Sequence, residues 1–221
     1  SVFQLLTQIT TNSMQQTVFE IVTNKALTES VYEMTLAGDT SAITRPGQFV
    51  ELSLEGYFLR RPISVCNYDE GKLTLIYKVV GKGTAQMATL AAGVKIDTLT
   101  GLGNGFDTSL YEDGEVIVVA GGTGVSPVRG VIEALSLTKD AKDKHVIVGF
   151  KSPDDMLFRS DLKNWADRLD LILTVDGAPE GYEGNIGLVT KFIPEVPIRD
   201  VAKAQAVVVG PPPMMRFSVM G

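Results

Sequence analysis

A glycine-rich turn is the part of this sequence best suited to binding a charged ligand. Gly121, Gly122 and Gly124 follow the apolar run Glu115–Ala120 and precede a predicted helix over Pro127–Leu135. Glycine permits backbone angles that other residues avoid, and it lets a ligand approach the main chain closely. The free N–H groups and the positive dipole end of a helix start favour phosphate. The turn therefore predicts a phosphate-containing ligand, with a tight ligand-free connection as the alternative.

The helix start and a second turn support this interpretation. Ser126 is predicted as the N-cap and Pro127 as the first helical residue, because proline loses nothing there by lacking an N–H. Pro127 also replaces the third glycine of the strict dinucleotide fingerprint. Gly210-Pro211-Pro212 again follows an apolar strand, and the carboxyl ends of parallel strands share one edge of a sheet. We therefore expect both turns at one ligand-binding edge, unless the prolines merely end a strand.

A third segment, Arg61–Ser64, combines a cation, a fixed backbone and a hydroxyl. An arginine can hold a phosphate in bidentate fashion, and the main chain of an extended strand can pair with a ring edge that carries amide-like groups. Downstream, Gly81–Thr84 forms a second turn at a predicted helix start, which is another phosphate-binding geometry. The alternative for Arg61 is a solvated surface cation.

These segments need two kinds of scaffold. The first half reads as short strands with frequent Gly and Pro, which is typical of a small antiparallel barrel. In Lys72–Val79 the apolar residues, Tyr77 and Val79 among them, share one face. The other predicted elements are strands Gln16–Thr23, Val31–Leu36, Gly47–Ser53 and Gly93–Leu99 and a helix over Thr84–Leu90.

The second half alternates strands and helices, which predicts βαβ units and a parallel sheet covered on both faces. The linker is expected within Gly101–Gly114, giving a barrel domain over residues 14–105 and an α/β domain over residues 106–221. Besides the run over Glu115–Ala120, the predicted elements are strands His145–Phe150, Asp170–Val175 and Ala206–Gly210 and a helix over Asp161–Arg168.

Composition excludes several classes of protein. The 221 residues are 44% hydrophobic and 21% charged, as in a globular protein rather than a disordered one. A net charge of -6 argues against nucleic-acid binding, and no apolar run is long enough to cross a bilayer. The single cysteine, Cys66, rules out an internal disulfide or a four-cysteine cluster within this sequence, and it favours a cytoplasmic location.

The motifs resemble those of the ferredoxin–NADP reductase superfamily. Within it, the sequence is most similar to electron-transfer subunits of class B dihydroorotate dehydrogenases, from about Val18 to the end. The segments that carry this resemblance are Leu59–Ser64, Gly81–Thr84, Gly101–Phe106, Gly121–Pro127 and Gly210–Pro212.

The resemblance implies a barrel that binds FAD, an α/β domain that binds NAD(H), and hydride transfer between the two. It implies no acid–base catalytic residue. It assigns Arg61, Pro62, Ile63 and Ser64, with Tyr77 and Val79, to the flavin; Gly83 and Thr84 to its pyrophosphate; and Gly122, Thr123, Gly124, Gly210 and Pro211 to the nicotinamide nucleotide.

The resemblance also implies a partner. A flavoprotein subunit of this kind would work in a hetero-oligomer with a catalytic dehydrogenase subunit, in dihydroorotate oxidation for pyrimidine synthesis. The second half is also similar to flavoprotein subunits of anaerobic sulfite reductases and hydrogenases. A stand-alone NAD(P)H–flavin reductase and a non-catalytic assembly subunit are further alternatives.

The sequence departs from the family at its ends. Family members carry four cysteines for a [2Fe–2S] cluster near the C-terminus, whereas this sequence has only Cys66 and stops at Gly221. We therefore expect an incomplete NAD-binding domain and no cluster here. Family-like sequence starts after Met14, so Ser1–Ser13 is expected to be extraneous.

The remaining reactive side chains have simpler interpretations. Cys66 and Trp165 are expected in the core, and His145, the only histidine, is expected to be structural. Acidic residues at Asp154, Asp155 and Asp176 are either solvated or within reach of a ribose. Selection of NADH over NADPH depends on the loop after Phe150, and the resemblance favours NADH.

Overall fold

The barrel occupies the first half of the chain. The computed structural model describes residues 14–220, so the prediction for residues 1–13 lies outside the described residues. Six antiparallel strands close in the order β1-β2-β5-β4-β3-β6. The strands are β1 (Gln15–Ala26), β2 (Val31–Ala37), β3 (Phe49–Leu52), β4 (Arg61–Asp69), β5 (Lys72–Lys78) and β6 (Lys95–Leu102), with helix α1 (Lys82–Thr89) between β5 and β6.

Alternation of side chains builds the barrel core. Leu73, Leu75 and Tyr77 on β5 point inward and are buried, as the period-two pattern predicts. Strand β4, which pairs with β3 and β5, is not among the predicted barrel strands, although an extended backbone was expected at Arg61–Ser64. Pro62 lacks a donor for the ladder, and the register shifts between Val65 and Asn67, so this strand shows no clean alternation.

The second half is a five-stranded parallel sheet in the order β10-β9-β8-β7-β11. Its central strand β8 is buried along its whole length, as expected of a strand covered by helices on both faces. The strands are β7 (Val116–Gly121), β8 (Lys144–Phe150), β9 (Asp170–Val175), β10 (Asn185–Ile186) and β11 (Gln205–Val209), and the helices are α2 (Val125–Ser136), α3 (Arg159–Arg168), α4 (Val189–Phe192) and α5 (Pro212–Met220).

The start of α2 corrects two predictions. The helix begins at Val125 with Gly124 as its N-cap residue, so the predictions of Ser126 as N-cap and of Pro127 as the first helical residue are wrong. Residues Gly122–Gly124 form a 3-10 turn that runs directly into α2 and moves the helix start towards the N-terminus. Pro127 still lies in the first helical turn, where its missing N–H costs no hydrogen bond. The short elements β10 and α4 were not predicted.

Helix α2 joins the two halves by lying against β4. Cys66 on β4 and Ile76 on β5 belong to the barrel, yet both pack into the hydrophobic core of the parallel sheet. At Gly130 an added Cβ would lie 2.7 Å from Pro46 Cβ, so glycine permits this close approach. None of the helices within residues 14–220 is long and apolar enough to cross a bilayer.

Three side chains occupy the structural positions expected from the sequence. Cys66 and Trp165 are buried. His145 is buried at the amino end of β8, and its Nδ1 lies 2.7 Å from Asp170 Oδ2. The Trp165 indole N–H donates to Glu133 Oε2 at 2.8 Å and so ties α3 to α2.

Candidate functional site

A cavity of about 560 Å³ lies between the barrel and the carboxyl edge of the parallel sheet. Barrel strands β4 and β5 form one wall, and the glycine-rich turn and the end of β11 form the other. Most of the predicted site residues line this cavity together. The predicted site residues that line it are Arg61, Pro62, Ile63, Ser64, Tyr77, Thr84, Thr123, Gly124, Gly210 and Pro211.

Arg61 is held at the start of α1 by its neighbours. Its Nη1 donates to the Leu59 carbonyl at 2.8 Å, and its guanidinium carbon lies 4.5 Å from the centre of the Tyr57 ring. A Cβ added at Gly83 would lie only 2.8 Å from that guanidinium carbon and closer still to Nε. Gly83 therefore leaves the space that Arg61 occupies. This role of Gly83 is indirect, because Gly83 does not line the cavity itself.

Arg60, the preceding residue, points elsewhere. Its Nη2 donates to Asp97 Oδ2 at 2.5 Å, and its Nη1 donates to the Asp97 carbonyl at 3.0 Å. Asp97 is on β6, so Arg60 ties strands of the barrel together. The two adjacent arginines thus have different environments, and only Arg61 lines the cavity.

The Thr84 hydroxyl stabilises the turn before α1. Its oxygen accepts hydrogen bonds from the backbone N–H groups of Val80 at 2.9 Å and Gly81 at 3.2 Å. The hydroxyl is thus used within the turn, although Thr84 also lines the cavity. Phosphate binding at this helix start would rely mainly on backbone N–H groups, which the first helical turn leaves without intrahelical partners.

Tyr77 on β5 and Val79 just after it were both predicted to contact the flavin, but they lie differently relative to the first cavity. Tyr77 lines the cavity, but its hydroxyl donates to Asn24 Oδ1 at 2.9 Å, and burial raises the pKa of this phenol to about 12. Val79, which was predicted to contact the flavin, does not line the cavity, whereas its neighbours Lys78 and Val80 do. Its N–H donates to the Ser30 carbonyl at 2.8 Å.

The glycines of the turn have distinct physical roles. Gly122 has a φ of +56°, a left-handed conformation that favours glycine. At Gly124 a Cβ would lie 2.7 Å from the Val209 carbonyl oxygen and 3.0 Å from Gly210 Cα. Gly124 therefore allows the turn after β7 to contact the turn after β11, as the shared sheet edge predicts.

A second cavity of about 460 Å³ opens on the other side of the glycine-rich turn. Lys78, Gly121, Thr123 and Pro211 line both cavities, whereas Gly122 lines only the second. Further lining residues come from the ends of β8 and β9, the loop after β8, the starts of α4 and α5, and the start of β2: Ser30, Val31, Gly149, Phe150, Lys151, Asp155, Leu157, Asp176, Leu188, Val189, Thr190, Pro213 and Met214.

The acidic residues of this second cavity differ in environment. Asp155 Oδ2 accepts a hydrogen bond from the Ser152 hydroxyl at 2.6 Å. Burial raises the pKa of Asp176, which lies just after β9. Asp154 does not line the cavity. Of the three acidic residues, only Asp155 and Asp176 therefore lie where a ribose in this cavity could be contacted.

Sequence reasoning missed several lining residues, among them Lys78 and Val80 in the first cavity. Leu188–Thr190 belong to the short segment around α4, whose length gives no periodic signal. Ser126 lines the first cavity, although its predicted role was that of a cap.

Comparison with known proteins agrees with this geometry. Residues 118–219 match the family model described as an oxidoreductase NAD-binding domain. The electron transfer subunit of dihydroorotate dehydrogenase B (NAD(+)) from Listeria innocua is 35% identical over 193 residues, which are 83% of this chain and 72% of that protein. The corresponding subunit from Bacillus pumilus is 33% identical over 210 residues, which are 92% of this chain and 77% of that protein.

Solved structures show the same fold. The cytochrome P450 reductase of Amycolatopsis superposes with a TM-score of 0.78 at 21% identity, over 94% of this chain and 65% of that one. A ferredoxin NADP+ reductase from Neisseria gonorrhoeae with bound FAD and NADP has a TM-score of 0.77 at 17% identity, over 93% of this chain and 89% of that one. The chain thus spans less than two thirds of the Amycolatopsis protein.

The closed barrel, the parallel sheet and the cavity between them define a ferredoxin-reductase-like oxidoreductase fold. The chain belongs to the family of dihydroorotate dehydrogenase B (NAD(+)) electron transfer subunits.

An iron–sulfur cluster does not fit the residues present. Cys66 is the only cysteine in the 221 residues, and it is buried between β4 and α2. Within residues 14–220 no group of three or more His, Cys, Asp or Glu side chains is arranged to hold a metal ion. A four-thiolate site cannot be built from one thiol.

Proposed function

We propose that this chain binds FAD in the first cavity and NAD(H) in the second, and passes a hydride between them. One observation carries the proposal: the two cavities meet at the glycine-rich turn and share Lys78, Gly121, Thr123 and Pro211 as lining residues. Ligands bound in both cavities would therefore be neighbours. Close approach of two bound reactants is what a transfer reaction requires.

The residues of the first cavity suit FAD. Arg61 and the start of α1 offer a cation and free N–H groups to a pyrophosphate. Strand β4 offers extended backbone and the Ser64 hydroxyl to a polar ring edge. When bound, the flavin accepts or donates a hydride, and the protein binds and orients it.

The residues of the second cavity suit a nicotinamide nucleotide. The turn at Gly121–Gly124 and the end of β11 lie at the carboxyl edge of a parallel sheet, the usual ligand edge of such folds. A Cβ at Gly149 would overlap the Val189 side chain. The glycine therefore lets the segment around α4 pack against β8 and form one side of the cavity. For this cofactor we propose NADH rather than NADPH, as the name of the Listeria innocua relative indicates for that protein.

We further propose that a catalytic dehydrogenase subunit completes the system. The relatives are named as electron transfer subunits of dihydroorotate dehydrogenase B, so electrons would pass between this chain and a subunit that oxidises dihydroorotate. This assigns the chain to pyrimidine synthesis in the cytoplasm. It also assigns residues 14–105 to FAD and 106–221 to NAD(H). Because these 221 residues contain one cysteine, electrons leaving the flavin would pass to a group that these residues do not hold.

The proposal is tested by reconstituting the purified chain with FAD. We expect a bound flavin with its visible absorption bands, and bleaching of these bands when NADH is added without oxygen. A protein that binds no flavin, or a bound flavin that NADH leaves oxidised, contradicts the proposal. Co-purification with a dihydroorotate dehydrogenase catalytic subunit separates the family assignment from that of a stand-alone reductase.

The adjacent arginines provide a matched pair of variants. Arg61→Ala should weaken FAD binding about 10- to 100-fold, since a charge-assisted hydrogen bond contributes about 1.5–3 kcal/mol. Arg60→Ala removes the contacts to Asp97 and should lower stability without a comparable loss of FAD affinity. Equal loss of FAD affinity in both variants would indicate general damage to the barrel.

A further inference from the structure

Ser126 carries a buried hydroxyl that has no hydrogen-bond partner within residues 14–220. The residue is only 1% exposed, and it lines the first cavity. A buried polar group without a partner costs free energy, so native proteins pair nearly all of them. An orphan hydroxyl at the wall of a binding cavity is therefore best explained by a group that the cavity receives.

The surroundings of Ser126 do not supply that partner. The thiol of Cys66 lies beside the hydroxyl, and the two interact, but no hydrogen bond of acceptable geometry joins them. Burial raises the pKa of Cys66 to about 11, so the thiol is neutral at pH 7. A neutral thiol is a weak donor and a weak acceptor. It is a weaker partner for a buried hydroxyl than an amide or a carbonyl.

We propose that the Ser126 hydroxyl is a binding contact for the polar ring edge of the flavin. This inference rests on the proposed function. Ser126 lines the cavity that Arg61, Ser64 and Tyr77 also line, and it does not line the second cavity. The geometry therefore points to the flavin rather than to the nicotinamide nucleotide as its partner.

The choice of a hydroxyl fits a redox ligand. A serine hydroxyl both donates and accepts hydrogen bonds and rotates to suit its partner. A redox ring changes donors into acceptors when its oxidation state changes, and a hydroxyl follows that change without moving its backbone. The contact is also in a position to set the balance between oxidised and reduced flavin. Ser126 would be a cofactor-binding residue supplied by α2, opposite the Ser64 hydroxyl of the barrel.

The test uses the full chain and two serines of the same helix. Ser136 on α2 is also buried, but its hydroxyl donates to the Glu133 carbonyl at 2.7 Å. We expect Ser126→Ala to weaken FAD binding about three- to tenfold, in line with the loss of one hydrogen bond. NADH affinity should stay within twofold, and the midpoint potential of the bound flavin should shift. Ser136→Ala should leave FAD affinity unchanged.

Stability without FAD gives a second, independent readout of opposite sign. Ser126→Ala removes an unsatisfied buried hydroxyl, so the FAD-free variant should melt at a higher temperature than the FAD-free wild type. Ser136→Ala breaks a hydrogen bond and should melt lower. FAD should raise the melting temperature of Ser126→Ala protein by less than it raises that of the wild type.

The outcomes separate this proposal from the proposed function. If Ser126→Ala lowers the melting temperature of the FAD-free protein and leaves FAD affinity and potential unchanged, its hydroxyl is satisfied by Cys66 and the proposal is overturned. If the loss falls on NADH affinity alone, the assignment to the flavin is overturned. Wild-type protein that binds no FAD overturns the proposed function itself.

Discussion

Gly83→Ala should separate flavin binding from folding. A Cβ at this position would lie 2.8 Å from Cζ and 2.9 Å from Nη2 of Arg61, and closer to Nε. These atoms form the end of a flexible side chain, so Arg61 can swing away at little cost to the backbone. The guanidinium would then leave its position over Tyr57, at the start of α1.

The two energies that decide stability nearly cancel. Alanine in place of glycine within a helix gains about 0.5–1 kcal/mol. Loss of the Arg61 contact with Tyr57 costs about 0.5–1 kcal/mol. The free energy of unfolding should therefore change by less than about 1 kcal/mol. FAD affinity should fall about 10-fold or more, with the loss seen in Arg61→Ala as its upper bound, because the phosphate loses a charge-assisted contact.

A double-mutant cycle tests this reasoning. FAD dissociation constants from flavin fluorescence titration are compared for Gly83→Ala, Arg61→Ala and the double variant. If Gly83 acts through Arg61, the double variant binds FAD no more weakly than Arg61→Ala alone. Additive losses would refute the reasoning, and so would a Gly83→Ala variant with wild-type affinity. Urea denaturation of each variant checks that folding is preserved.

Three further predictions concern stability. Gly124→Ala places a Cβ 2.7 Å from the Val209 carbonyl, an unyielding backbone atom, so it should cost about 1–3 kcal/mol in urea denaturation; an unchanged midpoint would contradict this. Burial raises the pKa of Cys66 from 9.0 to about 11, so the folded protein keeps a proton that the unfolded chain loses, and stability should fall as pH rises from 9 to 11. Cys66→Ala should flatten that fall, and equal slopes would show that the thiol is not responsible. Asp161→Asn removes the carboxylate that accepts hydrogen bonds from Arg129 Nε and Nη2, both at 2.9 Å. It should lower the free energy of unfolding by about 1–3 kcal/mol, measured by thermal unfolding. An unchanged stability would show that this ion pair contributes as little as a solvent-exposed one.

The fold was predictable where burial alone determines the pattern. Strand β7 is a continuous apolar run, and β8 becomes one after Lys144 and His145, because a parallel strand covered on both faces has no wet side. Strand β5 shows the alternation of a barrel strand with one buried face. Within strand β4 only the extended backbone at Arg61–Ser64 was expected, because one face of the strand meets the cavity and helix α2 instead of solvent. Its pattern reflects tertiary contacts that no local window contains.

The candidate site was predictable in its segments but not in its pairings. The contact of Gly83 with Arg61 joins residues of separate elements, and so does the contact of Gly124 with Val209. Each glycine is conspicuous in the sequence, yet the reason for it lies in a partner that only the fold brings close. Gly122 is different, since its left-handed φ is a local requirement.

Ser126 shows how a sound local rule fails at a binding site. Serine directly before proline is a good helix start, and it would be one here if the helix began where the apolar period begins. The glycine-rich turn is itself helical and extends the helix towards Gly124, so the cap is no longer needed at Ser126. The hydroxyl is left buried beside the cavity with no partner in the described residues. Alanine at this position would remove the desolvation cost of the hydroxyl and favour the helix, so helix formation does not explain the serine. The proposed contact with a bound ligand would account for the hydroxyl that the fold leaves without a partner in the described residues.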